Sequence, residues 1–151
     1  MNDYTCAVLA LDDLGPDAST VESELVALGF ERDDNAPSTG PRHVFVIDQA
    51  GFDTSTALED VLDARYLAYR YSQDALADLT ATVILHDPEL GSFVAPCTGS
   101  GQVVVAAGPL RRLADRLERG EIDVAHAVAE LRDLSGQRWV ERLGRVATYR
   151  G

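Results

Sequence analysis

His43-Val44-Phe45-Val46-Ile47 constrains this chain more than any other segment. It is short, β-branched and apolar on both faces, so it reads as a central strand with a layer over each side of its sheet. The remaining residues must therefore supply neighbouring strands and covering helices. Apolar runs of strand length recur at Tyr4 to Leu11, Thr82 to Leu85, Ser92 to Ala95 and Gln102 to Ala107. Asp12-Asp13-Leu14-Gly15-Pro16-Asp17 closes the first run. Asp87-Pro88-Glu89-Leu90-Gly91 turns the chain so that Ser92 to Ala95 returns antiparallel to Thr82 to Leu85.

Helical spacing appears between these runs. Val21, Leu25 and Leu28 follow a capping-box pair, Ser19 and Glu22, and Gly29 can close that helix. Glu31 to Pro41 is polar, with two prolines and a glycine, and reads as a surface loop. A second capping-box pair, Thr56 and Glu59, opens what reads as the longest helix. Its stripe is Leu58, Val61, Leu62, Tyr66, Tyr69, Gln73, Leu76 and Leu79, with Asp60, Asp63, Asp74 and Asp78 off it. After Gly108-Pro109 come Leu110, Leu113, Ala114 and Leu117, then Gly120. Asp123 can cap the next helix, with the stripe Val124, Ala127, Val128, Leu131 and Leu134. Ser135-Gly136 precedes a last short helix carrying Trp139, Val140 and Leu143.

The order β-α-β-α-β-β-β-α-α-α predicts an α/β (mixed α+β) fold, a mixed sheet of about five strands covered by helices, with a C-terminal helical subregion. Residues 1–151 read as one domain. Residues 1–107 form the sheet-containing body and 108–151 are helices packed on it, because three short helices make a poor core alone.

Charge narrows the partner. The chain carries a net −12, and its basic side chains are all arginine. Residues 1–100 hold 18 acids and 4 arginines, a net −14, whereas residues 101–151 hold 7 acids and 9 arginines. Such a front section repels nucleic acid and anionic membranes and attracts basic proteins at long range, although the same charge is also explained by solubility alone. Two cysteines, Cys6 and Cys97, suit reduced, buried thiols. With no basic-then-apolar leader and no membrane-length apolar run, the expected compartment is the cytoplasm.

Candidate chemistry is sparse. Three strands end in aspartate, at Asp12-Asp13, Asp48 and His86-Asp87. If these strands are parallel neighbours, Asp12, Asp48 and Asp87 converge as hard oxygen ligands for Mg²⁺, permitting phosphoryl transfer or phosphoester hydrolysis with His86 as acid or base. The bland reading is turn chemistry, which aspartate also favours. Cys97-Thr98-Gly99-Ser100-Gly101 reads as a nucleophile loop with His86 as base, as an anion nest, or as a plain hairpin turn, the last being favoured. His43, His86 and His126 lack zinc-ligand spacing. Arg65-Tyr66-Leu67-Ala68-Tyr69-Arg70-Tyr71 combines the residue types that anchor interfaces, but the favoured reading is that Tyr66 and Tyr69 pack on the sheet and the arginines pair with Asp60, Asp63 or Asp74. The helices flanking Gly120-Glu121-Ile122-Asp123 have helix-turn-helix spacing, but Glu121 and Asp123 would repel phosphates.

The leading expectation is a non-enzymatic acidic module that binds a basic partner protein, such as a toxin or nuclease it neutralises. It uses no cofactor, and its contacts are Asp12, Asp13, Asp33, Asp34, Glu89, Tyr69 and Arg70. The alternative is the small Mg²⁺-dependent enzyme built on Asp12, Asp48 and Asp87.

Overall fold

The computed structural model describes residues 4–76 and 80–149. Its strands are β1 (Thr5–Leu11), β2 (Glu31–Arg32), β3 (His43–Ala50), β4 (Tyr69–Gln73), β5 (Thr82–Asp87) and β6 (Gly91–Pro96). Its helices are α1 (Ala18–Ala27), α2 (Thr54–Leu62), α3 (Ala107–Glu118), α4 (Val124–Leu134), α5 (Gln137–Leu143) and α6 (Arg145–Thr148). The strands form one sheet in the order β2-β3-β1-β4-β5-β6, with every neighbouring pair antiparallel. The α/β fold expected from the sequence stands, with six strands in place of about five and a sheet that is wholly antiparallel rather than mixed.

Alternation along the strands builds two cores. Leu9, Leu11, Phe45, Ile47, Tyr69, Tyr71 and Ile84 join Val21 and Leu25 of α1 and Leu58 and Leu62 of α2 on one face. Ala10, Val83, Leu85, Ala95 and Cys97 join Trp139, Leu143 and Val146 from α5 and α6 on the other. Strand β1 thus has cover on both sides at its Ala10 end, but no residue of β3 joins the second core; on that face Val44 is buried and Val46 only half-buried, so the two-sided cover expected for His43 to Ile47 is met in part. Each leucine or phenylalanine buried here contributes roughly 1.5–3 kcal/mol.

Several local expectations are corrected. The long helix from Thr56 stops at Leu62. A 3₁₀ turn, Asp63–Arg65, follows, Tyr66 takes a left-handed conformation (φ 55°), and Tyr69–Gln73 is a strand. Tyr69 and Tyr71 alternate with Arg70 and Ser72, so this segment satisfies strand periodicity too, and β1 gains its second neighbour by pairing with it. Asp78 and Leu79 of the expected helix lie outside the described residues. The polar stretch after Gly29 contains the two-residue edge strand β2. The strand expected at Gln102 to Ala107 reduces to one bridge between Val103 and Cys97, and Ala107 already begins α3.

Neither capping box forms. α1 starts after Asp17 and α2 after Asp53, each without a side-chain cap, and Thr54 Oγ1 instead accepts a bond from the Gly51 N–H. The Asp123 cap does form, accepting from the His126 N–H at 2.8 Å. Of the C-terminal helices, α5 packs on β5 and α6 on β4. Helices α3 and α4 pack mainly on each other, with α4 also against α5. No helix among the described residues is long and apolar enough to cross a membrane.

Candidate functional site

Antiparallel pairing decides where the strand-end carboxylates fall. Leu11 sits opposite His43, so Asp12 and Asp13 leave the sheet where β3 enters it. Asp48 lies towards the other end of β3, beside the start of β1. At about 3.4 Å per residue that is about 20 Å from Asp12 along the strand. Asp87 does share the Asp12 end, because β5 runs in the same direction as β1 with β4 between them. The expected Mg²⁺ set of Asp12, Asp48 and Asp87 is therefore not brought together. Among the described residues no group of three or more His, Cys, Asp and Glu side chains is placed to hold a metal ion.

The carboxylates at the shared end meet guanidinium groups instead. Arg145 Nε reaches Asp12 Oδ2 at 3.0 Å, and the Arg42 N–H donates to Asp12 Oδ1 at 3.0 Å. Partial burial alone would raise the Asp12 pKa, but the Arg145 bond, the Arg42 N–H and both charges outweigh it and hold the carboxyl below its ordinary value. Arg142 bridges Asp87, 3.3 Å away, and Glu89. Asp87 is buried, and its Oδ1 accepts from the Glu89 and Leu90 N–H groups at 2.9 and 3.1 Å, closing the β5–β6 turn.

The expected contact residues therefore divide. Asp12 and Glu89 are already engaged by the tail arginines. Tyr69 and Arg70 are 0% and 2% exposed, on opposite faces of β4, so neither can touch a partner as the fold stands. The exposed aromatic of that stretch is Tyr66, at 80%. Asp13, Asp33 and Asp34 remain on the surface beside the start of β3. Asp13 accepts from the Gly15 N–H, Asp33 accepts from the Asn35 N–H, and no ion pair reaches any of the three.

The Cys97 loop is a turn. The Cys97 N–H bonds to the Ala81 carbonyl, the Gly101 N–H to the Thr98 carbonyl, and the Gln102 N–H to Thr98 Oγ1. Burial pushes the Cys97 thiol up, Asp74 adds to this, and Arg70 opposes it. His86 lies near the far end of β5 on the opposite face, so it cannot serve as a base for Cys97. Both cysteines are free. Cys97 is buried as expected, but Cys6 is exposed.

One polar row was not read from the sequence. Asp63 Oδ1 accepts the Tyr69 hydroxyl at 3.1 Å and lies 3.6 Å from His86 Nε2, while His86 Nδ1 meets Ser92 Oγ at 2.7 Å. The Tyr69 ring stacks on His86 at 5.1 Å, and burial followed by the Asp63 charge pushes the Tyr69 hydroxyl pKa far up. Hydroxyl, imidazole and carboxylate resemble a nucleophilic triad in composition. Ser92, however, lies in regular strand pairing opposite His86, not on a turn that would present it. The row satisfies a buried histidine. Its signal was the hairpin turn at Asp87 to Gly91, which fixes Ser92 opposite His86.

The front section keeps its charge after folding. Ten of its described carboxylates make no ion pair: Asp13, Asp17, Glu31, Asp33, Asp34, Asp48, Asp53, Glu59, Asp60 and Asp74. Comparison with known proteins finds no family model, no curated protein and no solved structure that matches this chain.

Proposed function

We propose that this chain is a non-enzymatic acidic interaction module that binds a basic protein surface, a toxin or nuclease to be neutralised being the concrete form. The observation that supports this reading is the set of ten front-section carboxylates without ion pairs, three of which flank the start of β3. Carboxylates held on a rigid sheet end can occupy the positions that phosphates take on a nucleic-acid-binding surface, speeding encounter and fixing register. The tail arginines do not close this end. The Arg145–Asp12 and Arg142–Glu89 pairs are exposed and contribute only about 0–1 kcal/mol each, so basic groups of a partner can exchange into them, while Arg142 stays on buried Asp87. Nucleic acid and anionic membranes are repelled by the same field.

The test is a pull-down with the immobilised chain at low and high salt, beside the triple variant Asp13→Asn, Asp33→Asn, Asp34→Asn. The reading expects basic partners that elute with salt and are lost from the variant. Partners that are acidic, or retained equally by the variant and at high salt, overturn it.

A further inference from the structure

Helices α3 and α4 form a hairpin whose two sides differ. One side is a groove with a polar rim, where Arg112 and Arg116 of α3 face Glu130 and Asp133 of α4, and Arg116 is paired with Glu130 at 2.9 Å. Leu113 and Ala127 are buried between the helices. Leu110, Ala114 and Leu117 of α3 recur at i, i+4 and i+7, as do Val124, Val128 and Leu131 of α4. This spacing stacks each trio on one side of its helix, and none of the six lines the groove. They form an apolar face on the hairpin's other side. Its five large residues are 37% to 67% exposed, and the sheet does not cover them.

We propose that this face binds a second copy of the same chain, two hairpins joining across a two-fold axis as a four-helix bundle. The stripe on α3 is self-complementary in an antiparallel crossing. Ala114, the small residue, lies at the centre and lets the two backbones approach, while Leu110 of one copy meets the Leu117 end of the other. The outer rim of that stripe carries Arg111 and Glu118, both exposed and neither in an ion pair. The same crossing sets Arg111 of each protomer against Glu118 of the other, giving two reciprocal pairs. A rim of mixed sign suits a copy of itself better than a polyanion or a uniformly basic surface. A face on a helix of twelve residues is about 18 Å long, so the interface is a small one, and its association is sought at micromolar concentrations.

The surface is separate from the acidic end of the sheet, and the inference does not rest on the basic-partner reading. Sedimentation equilibrium of the full chain from about 1 to about 100 µM tests it. A concentration-dependent monomer–dimer equilibrium is expected, abolished by Leu117→Asp with an unchanged far-UV circular dichroism spectrum. Arg111→Glu and Glu118→Arg alone each place like charges together and weaken the dimer about tenfold or more; combined, they restore the parent constant. A chain that stays monomeric throughout that range overturns the proposal. So does a dimer indifferent to Leu117→Asp, or a double charge reversal that fails to recover association.

Discussion

Arg32 shows how one side chain sets the chemistry of its neighbours. Its guanidinium lies 4.8 Å over the Phe45 ring, donates to Glu22 Oε1 at 3.0 Å and lies 3.1 Å from His43 Nδ1. Arginine can only donate, so Nδ1 must accept and the proton of neutral His43 sits on Nε2. Burial first, and then the Arg32 charge, push the His43 pKa below its ordinary value, against smaller pulls from Glu22 and Asp13. The unfolded chain therefore takes this proton first as pH falls. The stability carried by neutral His43 is full above about pH 6.5 and is lost as pH drops towards the folded pKa. Imidazole NMR titration should find His43 below the ordinary value, and Arg32→Met should raise it; a parent His43 titrating at or above that value removes the argument. Two glycines separate backbone from packing in the same way. Gly120 and Gly136 both have φ near +70°, but a Cβ at Gly120 meets open space, whereas one at Gly136 would lie 2.6 Å from Phe93, which packs on Trp139. Gly120→Ala should cost about 1 kcal/mol, and Gly136→Ala about 2–4 kcal/mol, by urea denaturation. Equal costs would mean Phe93 yields freely.

At the scale of elements, the last two helices are held by partners more than 40 residues away. Trp139 Nε1 donates to the Gly91 carbonyl at 2.9 Å, Arg142 reaches Asp87 and Glu89, and Arg145 reaches Asp12. The two arginines should not be equivalent. Asp12 is half-exposed and rehydrates once Arg145 is gone, so Arg145→Ala should cost within about 1 kcal/mol. Asp87 is buried, and removing Arg142 leaves it only its turn N–H groups, a loss of about 2 kcal/mol. Denaturation of both variants decides, and Arg145→Ala proving the costlier would refute the ranking. None of these long-range pairs could be read from the sequence, because each depends on strand order. What was legible was local: β1, β3, the β5–β6 hairpin, the Asp123 cap and the two helices around Gly120. Strand β4 was not, because Leu62, Tyr66, Tyr69 and Gln73 fit a helix while Tyr69, Tyr71 and Gln73 fit a strand, and only pairing with β1 breaks that tie. The candidate site failed for the same reason. Aspartates at strand ends are visible in the sequence, but whether Asp48 joins Asp12 depends on strand direction. Burial of Tyr69 and Arg70 followed from the same misread strand.

For the molecule as a whole, two electrostatic effects of opposite sign compete. Ion pairs such as Arg138–Asp133 and Arg116–Glu130 are exposed, so salt weakens them, but each contributes only about 0–1 kcal/mol to begin with. Against them stands a net charge of −14 on residues 1–100, whose ten unpaired carboxylates repel one another. Unfolding lets those charges move apart, so repulsion lowers the stability of the compact state. At about 0.1 M salt the Debye length falls to roughly 10 Å, shorter than the span of the sheet, and most of that repulsion is screened. The repulsive term should win, because it sums over many pairs of charges while the attractive term is a few weak contacts. The melting temperature should therefore rise as NaCl increases from about 20 to about 200 mM and then level off as screening saturates. Asp13→Asn, Asp33→Asn, Asp34→Asn should start higher at low salt and climb less. A melting temperature that falls with salt would mean that attraction dominates, and the acidic end would then lack the surplus field that a basic partner needs.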